Sequence, residues 1–235
     1  MSGDDAATGP AQARMVRDAA TVILVRDAGT RPRVLVGTRG AGAAFMPSMV
    51  VFPGGAVDPG DAQVPLASGL PAACAARLGD RSTCPPAAIA AAAIRELWEE
   101  TGLFLGRPGA WPDPPPGWAG FAAAGLRPCA EALRFVFRAV TPPGQPRRFD
   151  ARFLVADAAA LAGDPDDLSA AGDELRDLGW HPLDRVRGMD LHRVTRMALD
   201  QVASRLPDLS PPDRVPFFTG ADRLPLVETP GGPDA

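Results

Sequence analysis

Residues 95–103 read R-E-L-W-E-E-T-G-L, and three of the nine are glutamates, Glu96, Glu99 and Glu100. Offsets of three and four residues place all three carboxylates on one side of a helix. Like charges gathered there repel, so the helix needs counter-charge. Hard divalent cations with oxygen ligands supply it, and magnesium keeps several waters while also binding substrate phosphates. Arg95 lies four residues before Glu99 and can hold that carboxylate from the side, fixing its orientation. For a bare E-x-x-E-E the competing explanation is an ordinary solvated helix face. Context decides between the two.

Upstream, the alanine-rich run 87–94 extends the helix back to Pro85 and Pro86, with Ser82 or Thr83 as its cap, and Gly102 stops it. The segment 58–86 is rich in aspartate, proline, glycine and alanine and reads as an excursion with one short helical stretch near 70–78. Before it, M-V-V-F-P at 49–53 is a short strand that delivers a flexible turn at Gly54 and Gly55, where backbone can approach a ligand closely. Strand–loop–helix geometry brings that loop to the side of the carboxylates. Earlier still, A-A-T-V-I-L-V-R at 19–26 and R-V-L-V-G-T-R at 33–39 form a hairpin across the turn 27–32, and 41–49 is a loop. Residues 1–18 read as a tail.

Downstream, the proline loop 111–118 carries Trp111 and Trp118, which either cover a cleft or anchor the loop. Strands follow at 132–140 and 149–156, with a P-P-G turn at 142–144. The charged stretch 170–178 precedes Gly179 and Trp180, and Leu191, Val194, Met197, Ala198 and Val202 have the spacing of an amphipathic helix over 190–205. The proline-rich end, 207–235, is expected to lie over the surface. Trp98, among the glutamates, should face the opposite, buried side.

Composition removes several function classes. The 235 residues are 46% hydrophobic and 22% charged, which suits a globular chain of one domain. A net charge of −4 lacks the basic footprint of a nucleic-acid partner. There is no lysine, so neither a P-loop lysine nor a Schiff base is available, and arginine must serve any phosphate. Cys74, Cys84 and Cys129 show no paired spacing and read as free thiols. No secretory leader or long apolar run is evident, so the expectation is a cytoplasmic protein without a membrane partner. His181 and His192 suit surface or capping roles.

R-E-L-W-E-E-T-G-L resembles the second half of the Nudix box, R-E-U-x-E-E-x-G-U with U aliphatic, at every specified position. The first half, glycine followed by five residues and an acid, is met by Gly55 to Asp61, with aspartate where the family usually has glutamate; Gly54 and Asp58 look like its lead-in. Between them stand 33 residues, 62–94, about 26 more than the family usually has, so the box is interrupted. Similar insertions occur in a Nudix group that includes peroxisomal coenzyme A diphosphatases of animals, which F-M-P-S-M-V-V-F-P-G-G at 45–55 and P-R-R-F-D-A-R-F-L at 146–154 also resemble. The resemblance covers residues 19–206 and implies an α/β/α sandwich, a mixed β-sheet between helices, with an insertion at about 62–86.

It also implies a Mg2+- or Mn2+-dependent diphosphatase acting on a small nucleotide substrate. Coenzyme A or acyl-coenzyme A is preferred, with ADP-ribose or NADH pyrophosphatase and a non-catalytic nucleotide-binding regulator as alternatives; a homodimer is compatible. Glu99 and Glu100 become the principal metal ligands, Glu96 a further ligand or a base acting through water, and Arg95 the group that orients Glu99. Glu174, six residues before Trp180, is the later acid expected to complete the site, ahead of Asp173 and Asp150. Arg147 and Arg148 could grip a phosphate while Phe149 stacks on a base, or simply flank a turn.

Overall fold

The computed structural model describes residues 15–40, 42, 46–220 and, as backbone, 226–227; most of the expected N-terminal tail, residues 1–14, lies outside them. The first strand, Val16–Arg26 (β1), alternates so that Ala20, Val22 and Leu24 enter one apolar core while Ile23 and Val25 enter another. Both sets are fully buried, which makes β1 a central strand. Asp27, with φ of 57°, turns the chain into Arg33–Arg39 (β2), and the expected hairpin forms with Val25 opposite Val34.

Val50–Val51 (β3) pairs with β2. Gly54–Ala56 is not the flexible turn expected from its glycines but a strand (β4), antiparallel to β1 with Gly55 opposite Ala20. Then come Ala72–Gly79 (α1) and Pro86–Thr101 (α2). The expected cap by Ser82 or Thr83 is corrected: Pro85 takes the cap position with no side-chain bond, because Pro86, lacking an N–H, suits the first helical position. Ser82 instead folds its hydroxyl onto Cys84, accepting from Cys84 N at 3.2 Å.

A small hairpin, Gly106–Pro108 (β5) with Leu126–Pro128 (β6), encloses the short Ala119–Ala123 (α3). Arg134–Val140 (β7) and Arg148–Asp157 (β8) match the expected strands. Leu175–Pro182 (β9), Leu183–Arg187 (α4) and Arg193–Ala203 (α5) follow. Within the proline-rich end, residues 207–214 are exposed or half-buried as expected, but residues 215–218 are not. Val215–Phe218 (β10) is buried and pairs in parallel with β7, and Leu226–Val227 (β11) pairs with β10. Three apolar residues around Pro216 outweigh the loop signal of the prolines.

The sheet runs β11-β10-β7-β8-β1-β2-β3, with β4 also on β1 and β9 also on β2. β1 is parallel to β8 over ten residue pairs, whereas β7 is antiparallel to β8, so the sheet is mixed. Helix α2 covers one face through Ile89, Ile94 and Leu97, and α5 covers the other through Ala198, Leu199 and Val202. This is the expected α/β/α arrangement. The inserted segment is pinned to the sheet by two buried arginines. Arg138 donates to the carbonyls of Asp80 and Arg81 at 2.8 and 2.9 Å, Arg152 donates to Ser82 Oγ at 2.9 Å, and Asp150 pairs with both. No helix among the described residues is long and apolar enough to cross a membrane.

Candidate active site

Helix α2 ends where Gly102 adopts a left-handed conformation, φ 76°, and donates its N–H to Trp98 O at 2.8 Å. The last two turns therefore hold Arg95, Glu96, Glu99 and Glu100 in fixed register. Trp98 points away, as expected, stacking edge-on with Phe121 at 5.7 Å. Trp111 and Trp118 join the same aromatic cluster through Phe121 and anchor the proline loop; neither lines the cleft described below.

Strand β4 lies directly against this helix. Gly54 N–H donates to Glu100 Oε2 at 2.9 Å. A side chain at Gly55 is impossible without moving Glu96, because a Cβ there would sit 2.5 Å from the Glu96 carboxylate. The glycine pair thus lets backbone and two carboxylates share one small volume. Burial pushes the Glu100 carboxyl up to about 8, against which the Gly54 N–H acts only partly. Burial likewise raises Glu96, with the Arg95 charge working in the other direction.

Arg95 organises the remaining acids. Its Nε and Nη2 each donate to the Asp61 carboxylate at 3.0 Å, and Nη1 donates to Glu96 Oε1 at 2.8 Å and to Glu99 Oε2 at 3.0 Å. Nη2 also donates to Ala56 O on β4. Burial by itself would lower the Arg95 pKa, but the hydrogen bonds and charges of Asp61 and Glu96 raise it. Asp61 sits in a short 3-10 turn, Pro59–Gln63, where Asp58 N–H donates to its Oδ2 at 2.8 Å. The two halves of the interrupted motif therefore meet in space, and the inserted residues loop out between them.

Glu174 pairs with Arg39 at the end of β2 and lies near enough to Glu96 and Glu100 to raise both. Asp173 is exposed and outside the cleft, and Asp150 is committed to Arg138 and Arg152. Glu96 and Glu174 form one end of a cleft of about 670 Å3, with Arg17 and Arg39 beside them and Arg147 and Phe149 farther along. Arg148 is not in the lining: alternation along β8 turns it from the side of Arg147 and Phe149, and its Nε donates to Thr141 O. His192 caps α5, its Nδ1 accepting from Val194 N at 3.3 Å, and lines the cleft. Arg17 and Arg39 carried no sequence motif beyond a position at a strand terminus. Phe218 was hidden by the prolines around it.

Among the described residues no three His, Cys, Asp or Glu side chains stand close enough to cage a metal ion on protein donors alone. The donor chemistry nevertheless fits a hard divalent cation. Glu96 and Glu100 are carboxylates whose burial resists ionisation, which a cation would reverse, and magnesium needs only one or two carboxylates besides water and substrate phosphate.

A mixed sheet thus lies between helices, with a glutamate-rich helix end seated on a glycine strand beside a cleft. No protein-family model matches the chain. It is similar to nudix hydrolase 7 of Caenorhabditis elegans, with 31% identity over 177 residues, or 70% of this chain; the chain spans half the length of that relative. It is also similar to the crystal structure of a NUDIX hydrolase from Alicyclobacillus acidocaldarius, at 29% identity and TM-score 0.60, covering 80% of this chain and 92% of that one. The MutT NUDIX hydrolase of Burkholderia pseudomallei is a more distant likeness, 21% identical with TM-score 0.48, covering 80% of this chain and 99% of that one. The Alicyclobacillus structure shares this chain's fold over most of both chains.

Proposed function

We propose that the chain is a Mg2+- or Mn2+-dependent hydrolase that cleaves the diphosphate linkage of a nucleoside diphosphate joined to another group, with coenzyme A or an acyl derivative as the preferred substrate. The observation that carries this reading is Glu96, seated against Gly55 and lining the head of an arginine-bearing cleft, with Glu100 held behind that lining by the Gly54 N–H. Glu96, Glu99, Glu100 and Glu174 are the residues that would hold the ions. A bound divalent cation supplies charge neutralisation at the diphosphate and a more acidic water.

The protein's own groups do the positioning. Arg95, locked by Asp61, fixes the rotamers of Glu96 and Glu99. Arg17 and Arg39 bring fixed positive charge to where phosphate oxygens would lie. Glu100 commits Oε2 to Gly54, so Oε1 is the oxygen left to take a proton, and burial makes it a stronger base than a free carboxylate. The preference for coenzyme A is supported by the interrupted motif and by the length of the cleft beyond the carboxylates.

Incubating the purified chain with Mg2+ or Mn2+ and coenzyme A, ADP-ribose or NADH, and identifying products by mass, tests the reaction and its substrate together. Glu99→Gln and Glu100→Gln should each lower turnover by about 10²–10⁴-fold while leaving the thermal transition in place. Wild-type turnover in both variants would refute the assignment.

A further inference from the structure

The cleft continues well past the carboxylates, and the strand register shows what shapes its floor. Ala56 on β4 stands opposite Ala19 on β1, Ala19 opposite Ala151 on β8, Ala151 opposite Ala139 on β7, and Ala139 opposite Phe218 on β10. All five residues line the cleft. One row across five strands is therefore alanine until it meets an aromatic ring. At about 4.8 Å between neighbouring strands, the row is roughly 19 Å long.

The rows on either side are larger. Arg17, Phe149 and Thr141 form one, and Thr21 and Phe153 belong to the other. Rows on one face of a sheet lie two residues apart, roughly 6.6 Å, so the alanines form a slot a single side chain wide. One end adjoins Gly55 and Glu96. The other is closed by Phe218, over whose ring the Arg193 guanidinium sits at 4.9 Å, with Val194 of α5 on the wall. The floor is thus apolar from Ala56 to Phe218, between the carboxylates at one end and the Arg193 guanidinium at the other.

We propose that this slot is the specificity subsite for the group attached to the nucleoside diphosphate, and that it selects a long, narrow, apolar chain over a compact polar sugar. The proposal rests on the hydrolase reading. A nucleoside is too broad for a slot one side chain wide, whereas Phe149, opposite Arg17 in the row flanking the middle of the slot, offers a ring on which a base can stack. A flexible chain laid along the alanines buries apolar surface against Ala151, Phe153, Val194 and Phe218.

Synthetic alkyl esters of ADP, from methyl to dodecyl, separate this subsite from the reaction. Affinity is measured by calorimetry on the full chain in EDTA, and kcat/KM with Mg2+. Wild-type affinity should rise by about fourfold per methylene until the slot is filled, the ratio expected for burying one CH2. Ala151→Leu, which fills the floor, should flatten that rise, and Val194→Phe, which narrows the wall and carries the test if the first variant does not fold, should shorten it. A flat alkyl series in the wild type, slopes unchanged in the variants, or a flat alkyl series with a strong preference between ADP and UDP methyl esters would each overturn the proposal. Intact slopes in affinity without hydrolysis of any ester would sink the hydrolase reading and leave the slot standing.

Discussion

Two clusters of buried arginine and acid lie close together in this molecule, and their charge balance differs. Around Arg138 and Arg152, two guanidinium groups face Asp150 and Asp18, so the charges match. Around Arg95 and Arg39, two guanidinium groups are set among Asp61, Glu96, Glu99, Glu100 and Glu174. A balanced cluster satisfies its own desolvation and serves as a clamp, here fixing the inserted segment to the sheet. The acid-rich one is incomplete without further positive charge, which is why burial drives Glu96 and Glu100 toward the protonated form. Both clusters look alike in a list of ion pairs. Only the surplus of carboxylates marks the one proposed to hold a cation.

Removing one arginine from each cluster gives the largest contrast. Arg95→Met strands Asp61, which is 2% exposed and has its two oxygens on that guanidinium, and should cost about 3–5 kcal/mol in urea unfolding at neutral pH. Turnover per folded molecule should collapse too, because Glu96 and Glu99 lose their anchor. Arg152→Met should cost about 1–3 kcal/mol, since Asp150 keeps Arg138 and Asp18 keeps access to water, and should leave turnover within a few-fold. Equal activity losses in the two variants would erase the distinction between clamp and site.

The sequence exposed the acid-rich cluster better than the balanced one, for a physical reason. Helical periodicity gathers Arg95, Glu96, Glu99 and Glu100 within two turns, so local spacing alone put them on one side. The strands β1, β2, β7 and β8 were legible for the same reason, each being a short apolar run with turn signals beside it. Asp61 belongs to the site through a contact 34 residues away in sequence, across an insertion that Arg138 and Arg152 tie to the sheet. Pairing across strands likewise decides that Arg147 enters the cleft while Arg148 does not, and that β10 closes it. Such information lives in register, which one-dimensional patterns do not carry.

Proton linkage offers a second way to separate the clusters. The folded-state Glu100 pKa, about 8, is above its ordinary value, so between the two values the folded protein holds a proton that the unfolded chain has released. The stability contributed by Glu100 is therefore fully present below about pH 4.5 and is lost as pH rises toward 8. In EDTA, unfolding free energy should fall by a few kcal/mol between pH 5.5 and 8, more than in Glu100→Gln, and Mg2+ should restore stability mainly at the alkaline end. Parallel pH profiles for wild type and Glu100→Gln in EDTA would show that this carboxylate is not buried at a loss.

The smallest effect concerns the clamp alone. Ser82 links the inserted segment to the sheet because its hydroxyl accepts from Arg152 Nη2 and donates to Cys84 O at 3.0 Å. Ser82→Ala removes these bonds and the one accepted from Cys84 N but leaves Arg138 holding the carbonyls of Asp80 and Arg81, so the loss should be only about 1–2 kcal/mol. Its local consequence is larger than its global one. Burial pushes the Cys84 thiol up to about 11, with Asp18 adding to the rise, so the thiol should react slowly with alkylating reagents in the native protein. Loosening the turn should speed Cys84 alkylation several-fold at pH 8 while turnover stays near wild type, because the Arg95 cluster is built from other residues. A proportionate loss of activity with faster labelling would mean that the clamp and the site are one cooperative unit.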